Sequence, residues 1–483
     1  LPVVVSAAGI ANGLTFTRGS DGVYTMSLGT TAGILPLPGS SIDGRQAPES
    51  DASFMITDAA GNVALAVTQT GQVVIPRLDV GGTKIDPVSR VGSALLPSAV
   101  DINHLLVSGQ SLSFGGSTAT VVDATDYMLS DGLHAAVGST NTLAALSNTG
   151  TDGIMLAAAG QLKFLCAGNA DYTADPAYAN DYRLLVSGHG VSGSTIAILS
   201  KGGSTGAFEQ GIHQVDEAVR LASGIGQAVA VAAVSWFQGE SDRDTLVATY
   251  KTALIQLKND YNTDILARTG QLNRVPLVCY QTSSEQFFTT AGVESEPHAA
   301  AATLEASEVD NEIVISAPTY WVPHADGVHF SSSNYTLFGQ VHGKVLYKIL
   351  YRGESWKPLS PLIIHAVNAR VVVVKFHVPE PPLVFDTATV TDPGSYGFEV
   401  RDSSGSVPIS AINIVNRDTV RISVGRDIGA NPVLSYAWYS IGGTLGGPTT
   451  GPRGCLRDSD AAVGVFDGAA LHNWCIRFKK PIL

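Results

Sequence analysis

Five apolar runs alternate with amphipathic stretches between residues 98 and 352, and this alternation limits the possible folds more than any other feature of the chain. Runs that stay apolar at consecutive positions are typical of strands buried on both faces, as in parallel sheets. Helices between such strands then cover both faces of the sheet. We therefore predict an α/β fold, a three-layer α/β/α sandwich with a parallel sheet. The runs are Ile102–Val107, Tyr182–Ser187, Ala228–Trp236, Val275–Tyr280 and Ile313–Ser316, and the helical stretches cover about 154–166, 205–223, 242–262 and 334–350.

The two flanking segments have the pattern of β structure. Residues 1–97 contain short alternating runs between Gly, Asp, Ser and Pro, with few large apolar side chains. Because such a segment has too few apolar residues for its own core, we expect it to pack against the rest of the chain or against other copies of itself, and we predict a stalk or oligomerisation segment and a homotrimer. Residues 355–483 lose the helical period, which indicates an antiparallel β-sandwich, with carbohydrate binding as its candidate role. The predicted domains are thus 1–97, 98–354 and 355–483.

Composition narrows the range of partners. Charged residues are 15% of the chain and Gly accounts for 51 of 483 residues, which suits turn-rich structure with a largely neutral surface. The net charge of −13 argues against nucleic acid or an anionic membrane as the main partner. No apolar run approaches the ~20 residues of a membrane span. The chain starts at Leu1 without a basic signal-peptide segment, and we expect that an upstream piece has been removed.

Four cysteines are too few for a disulfide framework in a chain of this length. Cys166 lies in an apolar helical stretch and Cys279 in an apolar strand, so we predict buried free thiols for both. Cys455 and Cys475 could either pair within the C-terminal module or stay free. The sequence has neither CxxC nor HExxH spacing, and we predict no metal site.

Polar residues follow several of the predicted strands, at the edge where open α/β sheets bind ligands. The first strand runs into Gly109, Gln110 and Ser111, where the glycine allows a tight turn and the serine hydroxyl would stand at the sheet edge. Asp326 and His329 lie three apart on a loop before the last helical stretch, a spacing that lets a carboxylate orient an imidazole. Each motif alone is also compatible with an ordinary turn, but together they indicate a nucleophile and its base.

Two further loops supply candidate oxyanion donors. The second strand is followed by a loop with Gly190 and Gly193, whose backbone N–H groups could face an anion, although the loop could equally be a flexible turn. After the third strand, Gln238 could offer its side-chain N–H₂ to an oxyanion, while Asp242 could simply cap the following helix. The stretch 117–153, rich in Gly, Ser, Thr and Asn, is predicted to be an ordered excursion near the site.

These motifs, in this order, resemble the SGNH or GDSL-type hydrolase superfamily over about residues 98–352. Gly-Gln-Ser at 109–111 and Gln-Gly-Glu-Ser-Asp at 238–242 resemble its sialate O-acetylesterase and acetylxylan esterase branch. The resemblance implies an SGNH-type fold and a serine esterase. That branch often has Asn directly after the nucleophile, where this chain has Leu112, and the departure bears on fine substrate preference more than on the chemistry.

Position by position, the resemblance implies Ser111 as the nucleophile, His329 as general base and then acid, and Asp326 as the residue that orients His329. No metal or other cofactor is implied. The reaction would be acyl transfer through an acyl-enzyme that water releases. The implied oxyanion hole consists of the backbone N–H of Ser111, the N–H of Gly193 and the side chain of Gln238, with Gly190 as the alternative to Gly193.

The branch acts on acetyl esters of carbohydrates, so the resemblance implies an O-acetylated polysaccharide as the substrate. Trp236, Tyr320 and Trp321 near strand ends could stack on sugar rings, or could equally be core residues. Glu240 could brace its loop or pair with a basic residue, and His324 is close enough in sequence to the catalytic loop to line a pocket. We take Glu240, Trp236 and His324 as candidate substrate-binding residues.

The flanks suggest where such an enzyme would work. Residues 56–65 resemble connecting pieces of phage tail proteins, and the C-terminal region resembles the sandwich modules that accompany such esterases. Together they suggest a trimeric phage tailspike that deacetylates a bacterial surface polysaccharide, outside the cell and on the virion tail. The alternatives are a secreted or periplasmic acetylxylan- or sialate-type esterase, and an inactive carbohydrate-binding adhesin on the same fold.

Overall fold

The computed structural model describes residues 100–116, 119, 125–148, 152–166 and 182–483, and describes short strands among the first 99 residues by their backbone alone. The chain divides into two units, Leu1–Ala99 and Val100–Leu483. Strands of the first unit pair antiparallel. The predicted oligomerisation role of this segment depends on side chains that lie outside the described residues. The strands are β1 (Leu14–Arg18), β2 (Tyr24–Leu28), β3 (Ser41–Ile42), β4 (Arg45–Gln46), β5 (Ala52–Thr57), β6 (Val63–Thr68), β7 (Val73–Val74), β8 (Leu78–Val80) and β9 (Thr83–Ile85).

A seven-stranded sheet forms the centre of the second unit. The strands of this part are β10 (Ile102–Gly109), β11 (Tyr127–Leu129), β12 (Leu143–Ala145), β13 (Arg183–Gly188), β14 (Val229–Phe237), β15 (Leu277–Gln281), β16 (Glu294–Ser295) and β17 (Ile313–Pro318). The sheet order is β12-β11-β13-β10-β14-β15-β17, and all neighbours run parallel except β11 and β12. The five predicted apolar runs are its five long parallel strands, and the excursion 117–153 adds the antiparallel edge.

Helices cover both faces of this sheet. They are α1 (Gly153–Cys166), α2 (Ile196–Leu199), α3 (Ala207–Gly224), α4 (Val247–Thr269), α5 (His298–Val309) and α6 (Ser332–Leu346). Helices α1 and α6 pack against each other on one face, and α3, α4 and α5 pack together on the other. The predicted three-layer α/β/α sandwich is confirmed. Within the described ranges, no helix is long and apolar enough to cross a membrane.

The C-terminal part consists of antiparallel strands. They are β18 (Ser360–Asn368), β19 (Val371–His377), β20 (Val384–Phe385), β21 (Phe398–Asp402), β22 (Gly405–Val407), β23 (Ile409–Asn416), β24 (Thr419–Val424), β25 (Val433–Tyr436), β26 (Ser440–Ile441), β27 (Leu456–Arg457) and β28 (Phe478–Pro481). Two four-stranded sheets have the orders β18-β19-β24-β23 and β22-β21-β25-β28. Phe376 of the first sheet packs its ring against Phe398 and Phe478 of the second, at 6.5 and 6.4 Å between centroids. The predicted antiparallel sandwich is therefore present, and the three-domain division stays a prediction.

All four cysteines are buried and free. The thiols of Cys166 and Cys279 lie where the sequence predicted, in α1 and β15. The disulfide left open for Cys455 and Cys475 is not formed. The Cys455 thiol donates to the carbonyl of Val390 instead, at 3.2 Å.

Candidate active site

The candidate nucleophile follows a turn that requires glycine. Strand β10 ends at Gly109, where φ is +138° and an added Cβ would lie 2.1 Å from the carbonyl oxygen of Phe237 at the end of β14. The N–H of the next residue, Gln110, donates to the same carbonyl at 2.9 Å. A short 3₁₀ helix then begins at Ser111. The ends of two neighbouring strands thus fix the backbone that carries Ser111 at the carboxyl edge of the sheet.

The candidate base lies on a tight hairpin between β17 and α6. His324 and Phe330 close this hairpin as an antiparallel bridge. Inside it, Oδ1 of Asp326 accepts the backbone N–H groups of Val328 and His329, both at 2.7 Å. These two bonds fix the carboxylate and leave its second oxygen for the ring of His329.

One chain of hydrogen bonds joins the two loops. Nδ1 of His329 lies 2.9 Å from Oδ2 of Asp326, and Nε2 lies 2.7 Å from Oγ of Ser111, a residue 218 positions earlier. Because a carboxylate only accepts, Nδ1 carries the proton of a neutral imidazole and Nε2 is the acceptor. The hydroxyl of Ser111 therefore donates to His329, which is the arrangement needed to remove its proton.

The hairpin side chains of this hydrogen-bond chain are accessible to solvent. The side chains of His329 and Asp326 are 41% and 58% exposed. Partial desolvation alone would raise the pKa of Asp326, but hydrogen bonds from the backbone of His329 and Val328 and from the His329 ring lower it below its ordinary value. At neutral pH the carboxylate is ionised and can stabilise an imidazolium.

The predicted oxyanion donor Gln238 is committed elsewhere. Its Nε2 donates to the carbonyl of Ser194 at 3.2 Å and to Oδ2 of Asp242 at 2.5 Å, and its Oε1 accepts the Tyr250 hydroxyl at 2.7 Å. Both amide hydrogens are therefore used inside the protein, so the structure does not bring Gln238 into an oxyanion hole. Asp242 also accepts the N–H of Ile196, so it caps α2 rather than the helix that follows it.

Glu240 and Trp236 are both buried away from solvent. Glu240 is 1% exposed, and its carboxylate accepts the hydroxyls of Tyr280 at 2.5 Å and Thr282 at 2.6 Å. Burial raises the pKa of Glu240, and these two hydrogen bonds offset part of that rise. Trp236 is 1% exposed in the core between the sheet and α4. Their prediction as substrate-binding residues is corrected: Glu240 braces its loop and Trp236 fills the core, as the buried Tyr320 and Trp321 also do.

The structure separates the two candidate glycines of the second loop. A Cβ added to Gly190 would lie 2.0 Å from Oγ of Ser113, so Gly190 packs directly on the turn that carries Ser111. Gly193 is exposed, with open space around its Cα. Gly190 therefore packs against the turn that contains Ser111, and the choice between Gly190 and Gly193 as an oxyanion donor stays a prediction.

His324 borders the hairpin and is mostly buried. Its Nδ1 donates to the carbonyl of Val322 at 2.8 Å, and burial lowers the pKa of His324 to about 4. Gly446, from the C-terminal part, packs beside its Nε2. His324 therefore stays a prediction as a pocket residue, close to the triad but neutral at ordinary pH.

A buried arginine from the C-terminal part supports this edge of the sheet. Arg477 is 0% exposed, and its guanidinium donates to Oε1 of Glu285 and to the carbonyl of Thr282, each at 2.7 Å. Its backbone N–H donates to Oε1 of Gln281, 196 positions earlier in the chain, at 2.7 Å. Sequence patterns did not indicate the pair of Arg477 and Glu285, because neither residue is part of a motif.

A known protein family matches part of the α/β region. Residues 180–348 match the family model described as carbohydrate esterase, sialic acid-specific acetylesterase. The predicted resemblance to this branch of the SGNH hydrolases is confirmed. The matched region contains the hairpin with Asp326 and His329, whereas Ser111 lies before it and is joined to it by the hydrogen bond to His329. No curated protein matches the chain.

Solved structures include similar folds. A carbohydrate acetylesterase from Xanthomonas citri is 14% identical with a TM-score of 0.51, over 78% of this chain and 80% of that one. NanS is 15% identical with a TM-score of 0.37, over 53% of this chain and 100% of that one. The Xanthomonas structure shows a shared fold, and the family match supports a carbohydrate esterase activity. Within the described part of the chain, no cluster of His, Cys, Asp or Glu is arranged to hold a metal ion.

Proposed function

We propose that the protein is a serine esterase that removes O-acetyl groups from a carbohydrate. The hydrogen-bond chain from Ser111 through His329 to Asp326 carries this proposal. It also disfavours an inactive adhesin, because a fold kept only for binding does not need a nucleophile, a base and a carboxylate in line. The carbohydrate esterase match at 180–348 supplies the substrate class.

In the proposed reaction, Oγ of Ser111 attacks the acetyl carbonyl carbon while its proton passes to Nε2 of His329. Asp326 stabilises the resulting imidazolium. The bond to the sugar oxygen then breaks, and that oxygen takes the proton from His329. Water, which gives a proton to His329, then attacks the acetyl ester on Ser111; the bond between the acyl carbon and Oγ breaks, Oγ takes the proton back from His329, and acetate is released. The negative oxygen of each tetrahedral intermediate would be bound by the backbone N–H groups of Ser111 and Gly190.

We further propose an O-acetylated bacterial surface polysaccharide as the substrate and a trimeric phage tailspike as the setting. An exposed triad supports a polymeric substrate, because a long chain can lie across it without entering a deep pocket. The resemblance of residues 56–65 to phage tail pieces supports the setting. In light scattering we expect three times the mass of the chain, and a single-chain mass would favour the secreted esterase instead.

Acetate release tests the activity directly. The protein is incubated with O-acetylated polysaccharides from a panel of bacteria, with acetylated xylan and with O-acetylated sialic acid, and free acetate is followed by NMR. We expect acetate from at least one of these glycans. A protein that binds a glycan from the panel but releases no acetate from any of them, or from ethyl acetate, would be an adhesin.

A further inference from the structure

Two exposed phenylalanines lie beside the catalytic hairpin. Phe287 and Phe288 are 37% and 51% exposed, with their rings edge to face at 5.2 Å between centroids. The ring of Phe287 lies against the backbone of Gly327, where an added Cβ would be 2.3 Å from it. Since Gly327 directly follows Asp326, this places the aromatic pair next to the triad.

An arginine lies beside this aromatic pair, next to Phe288. The guanidinium of Arg243 lies 5.2 Å from the centre of the Phe288 ring. Its Nε is buried without a hydrogen bond, although it approaches the exposed carboxylate of Asp244 at 3.4 Å. The Arg243 side chain is 30% exposed, so its positive charge is accessible to a ligand at this surface.

The same loop leads back to the nucleophile. Ser241, two residues before Arg243, donates its backbone N–H to the side chain of Gln110 at 3.1 Å. Gln110 directly precedes Ser111. The two phenylalanines and Arg243 thus lie between the loop that adjoins the nucleophile and the hairpin that carries the base.

The C-terminal part holds this group in place. Glu285 at the start of the 3₁₀ turn Glu285–Phe288 is bound by the buried Arg477, and the carbonyl of Gln286 accepts the N–H of Gly443 at 3.0 Å. A sugar ring binds best to an aromatic surface that is already fixed, because little side-chain entropy is then lost. Exposed aromatic faces with an adjacent cationic donor have the chemistry to bind the C–H face and the oxygen substituents of a pyranose.

We propose that Phe287, Phe288 and Arg243 form the sugar-ring subsite of this esterase. A pyranose of the acetylated glycan stacks on the aromatic pair, and Arg243 donates to one of its oxygen substituents. This inference rests on the proposed function and names the part of the surface that recognises the sugar. The three side chains act in binding and have no part in the acyl transfer.

The test compares two kinds of ester. The wild type is assayed with an acetylated glycan that it hydrolyses and with ethyl acetate, which has no ring. For Phe288→Ala and Arg243→Gln we expect KM for the glycan to rise about 10-fold or more with kcat nearly unchanged, because each variant removes part of the surface that binds the sugar ring. With ethyl acetate we expect wild-type rates. Phe164, a phenylalanine of similar exposure at 36% near the far end of α1, provides the control Phe164→Ala.

Two outcomes would overturn the subsite. Unchanged KM for the glycan in both variants would show that the sugar binds elsewhere. Equal losses on the glycan and on ethyl acetate, or a loss matched by Phe164→Ala, would show a structural effect. A wild type that releases acetate from ethyl acetate but from no glycan would refute the proposed function itself, which is a result separate from both.

Discussion

The loop Gln238–Asp242 and the hairpin His324–Phe330 follow strands of the same parallel sheet, yet they use their polar residues in opposite ways. In the loop, Gln238 and Glu240 are 3% and 1% exposed and are hydrogen-bonded within the protein. In the hairpin, the side chains of Asp326 and His329 are 58% and 41% exposed and bind each other and Ser111. The difference teaches that a polar motif at a strand end does not by itself separate a side chain that is accessible to a substrate from one that is buried and stabilises its own loop, and that exposure makes this distinction.

The largest expected effect is at Ser111. Ser111→Ala should lower kcat for ethyl acetate by at least about 10⁴-fold, because the nucleophile is gone, and leave the melting temperature within about one degree of wild type. The matched control is Ser113→Ala, which removes a buried serine whose Oγ donates to the carbonyl of Gln110. If Ser113→Ala were inactive and Ser111→Ala active, the serine bound by His329 would not be the nucleophile, and the hairpin would not be the reactive one of the two segments.

Asp326→Asn should follow, with a loss of roughly 10²- to 10⁴-fold in kcat. The backbone N–H groups of Val328 and His329 need an acceptor, so the amide oxygen of Asn would face them and its N–H₂ would face Nδ1 of His329. Nδ1 must then accept, the ring proton moves to Nε2, and His329 cannot take a proton from Ser111. Thermal melts and kcat together check this, and a near-normal kcat in the folded variant would remove Asp326 from the mechanism.

Gln238→Ala tests the loop Gln238–Asp242, whose polar side chains are buried. It removes the Gln238 donor from the Ser194 carbonyl and from Oδ2 of Asp242, and the Oε1 acceptor from the Tyr250 hydroxyl, and a buried polar group that loses its partner costs about 1–3 kcal/mol. We expect a clear fall in the denaturant midpoint and less than a tenfold change in kcat. The exposed Gln256→Ala serves as control. A 10²- to 10³-fold loss of kcat at unchanged stability would instead make Gln238 an oxyanion donor.

The smallest effect is expected for Glu240→Gln, and it concerns pH. Burial raises the folded pKa of Glu240 above the ordinary 4.5, so its contribution to stability is complete below that value and is lost as pH rises through the folded pKa. The glutamine variant should therefore lose less stability than wild type between pH 4.5 and 8. Melts across this range check it, with the exposed Glu305→Gln as control. If the stability of Glu240→Gln fell with rising pH as steeply as that of the wild type, burial of Glu240 would not be the cause of this pH dependence.

The parts of the molecule that sequence could predict are those with a local pattern. Continuous apolar runs indicated the five long strands, and glycine before Ser111 indicated the turn, which the contact with Phe237 explains. The substrate residues were predicted poorly, because Trp236 and Glu240 look the same in sequence whether they face the core or the solvent. Phe287 and Arg243 gave no signal, since their proximity depends on loops that meet only in the folded sheet.

The buried pair of Arg477 and Glu285 has a consequence for how the enzyme is made. During synthesis, the three candidate catalytic residues are made long before Arg477, because Ser111, Asp326 and His329 all precede it in the chain. Until then Glu285 is a carboxylate without its counter-charge, in a position that becomes buried. We expect a chain interrupted before Arg477 to hold Ser111 and His329 yet lack a finished rim around them, so that catalytic competence arrives with the last strand.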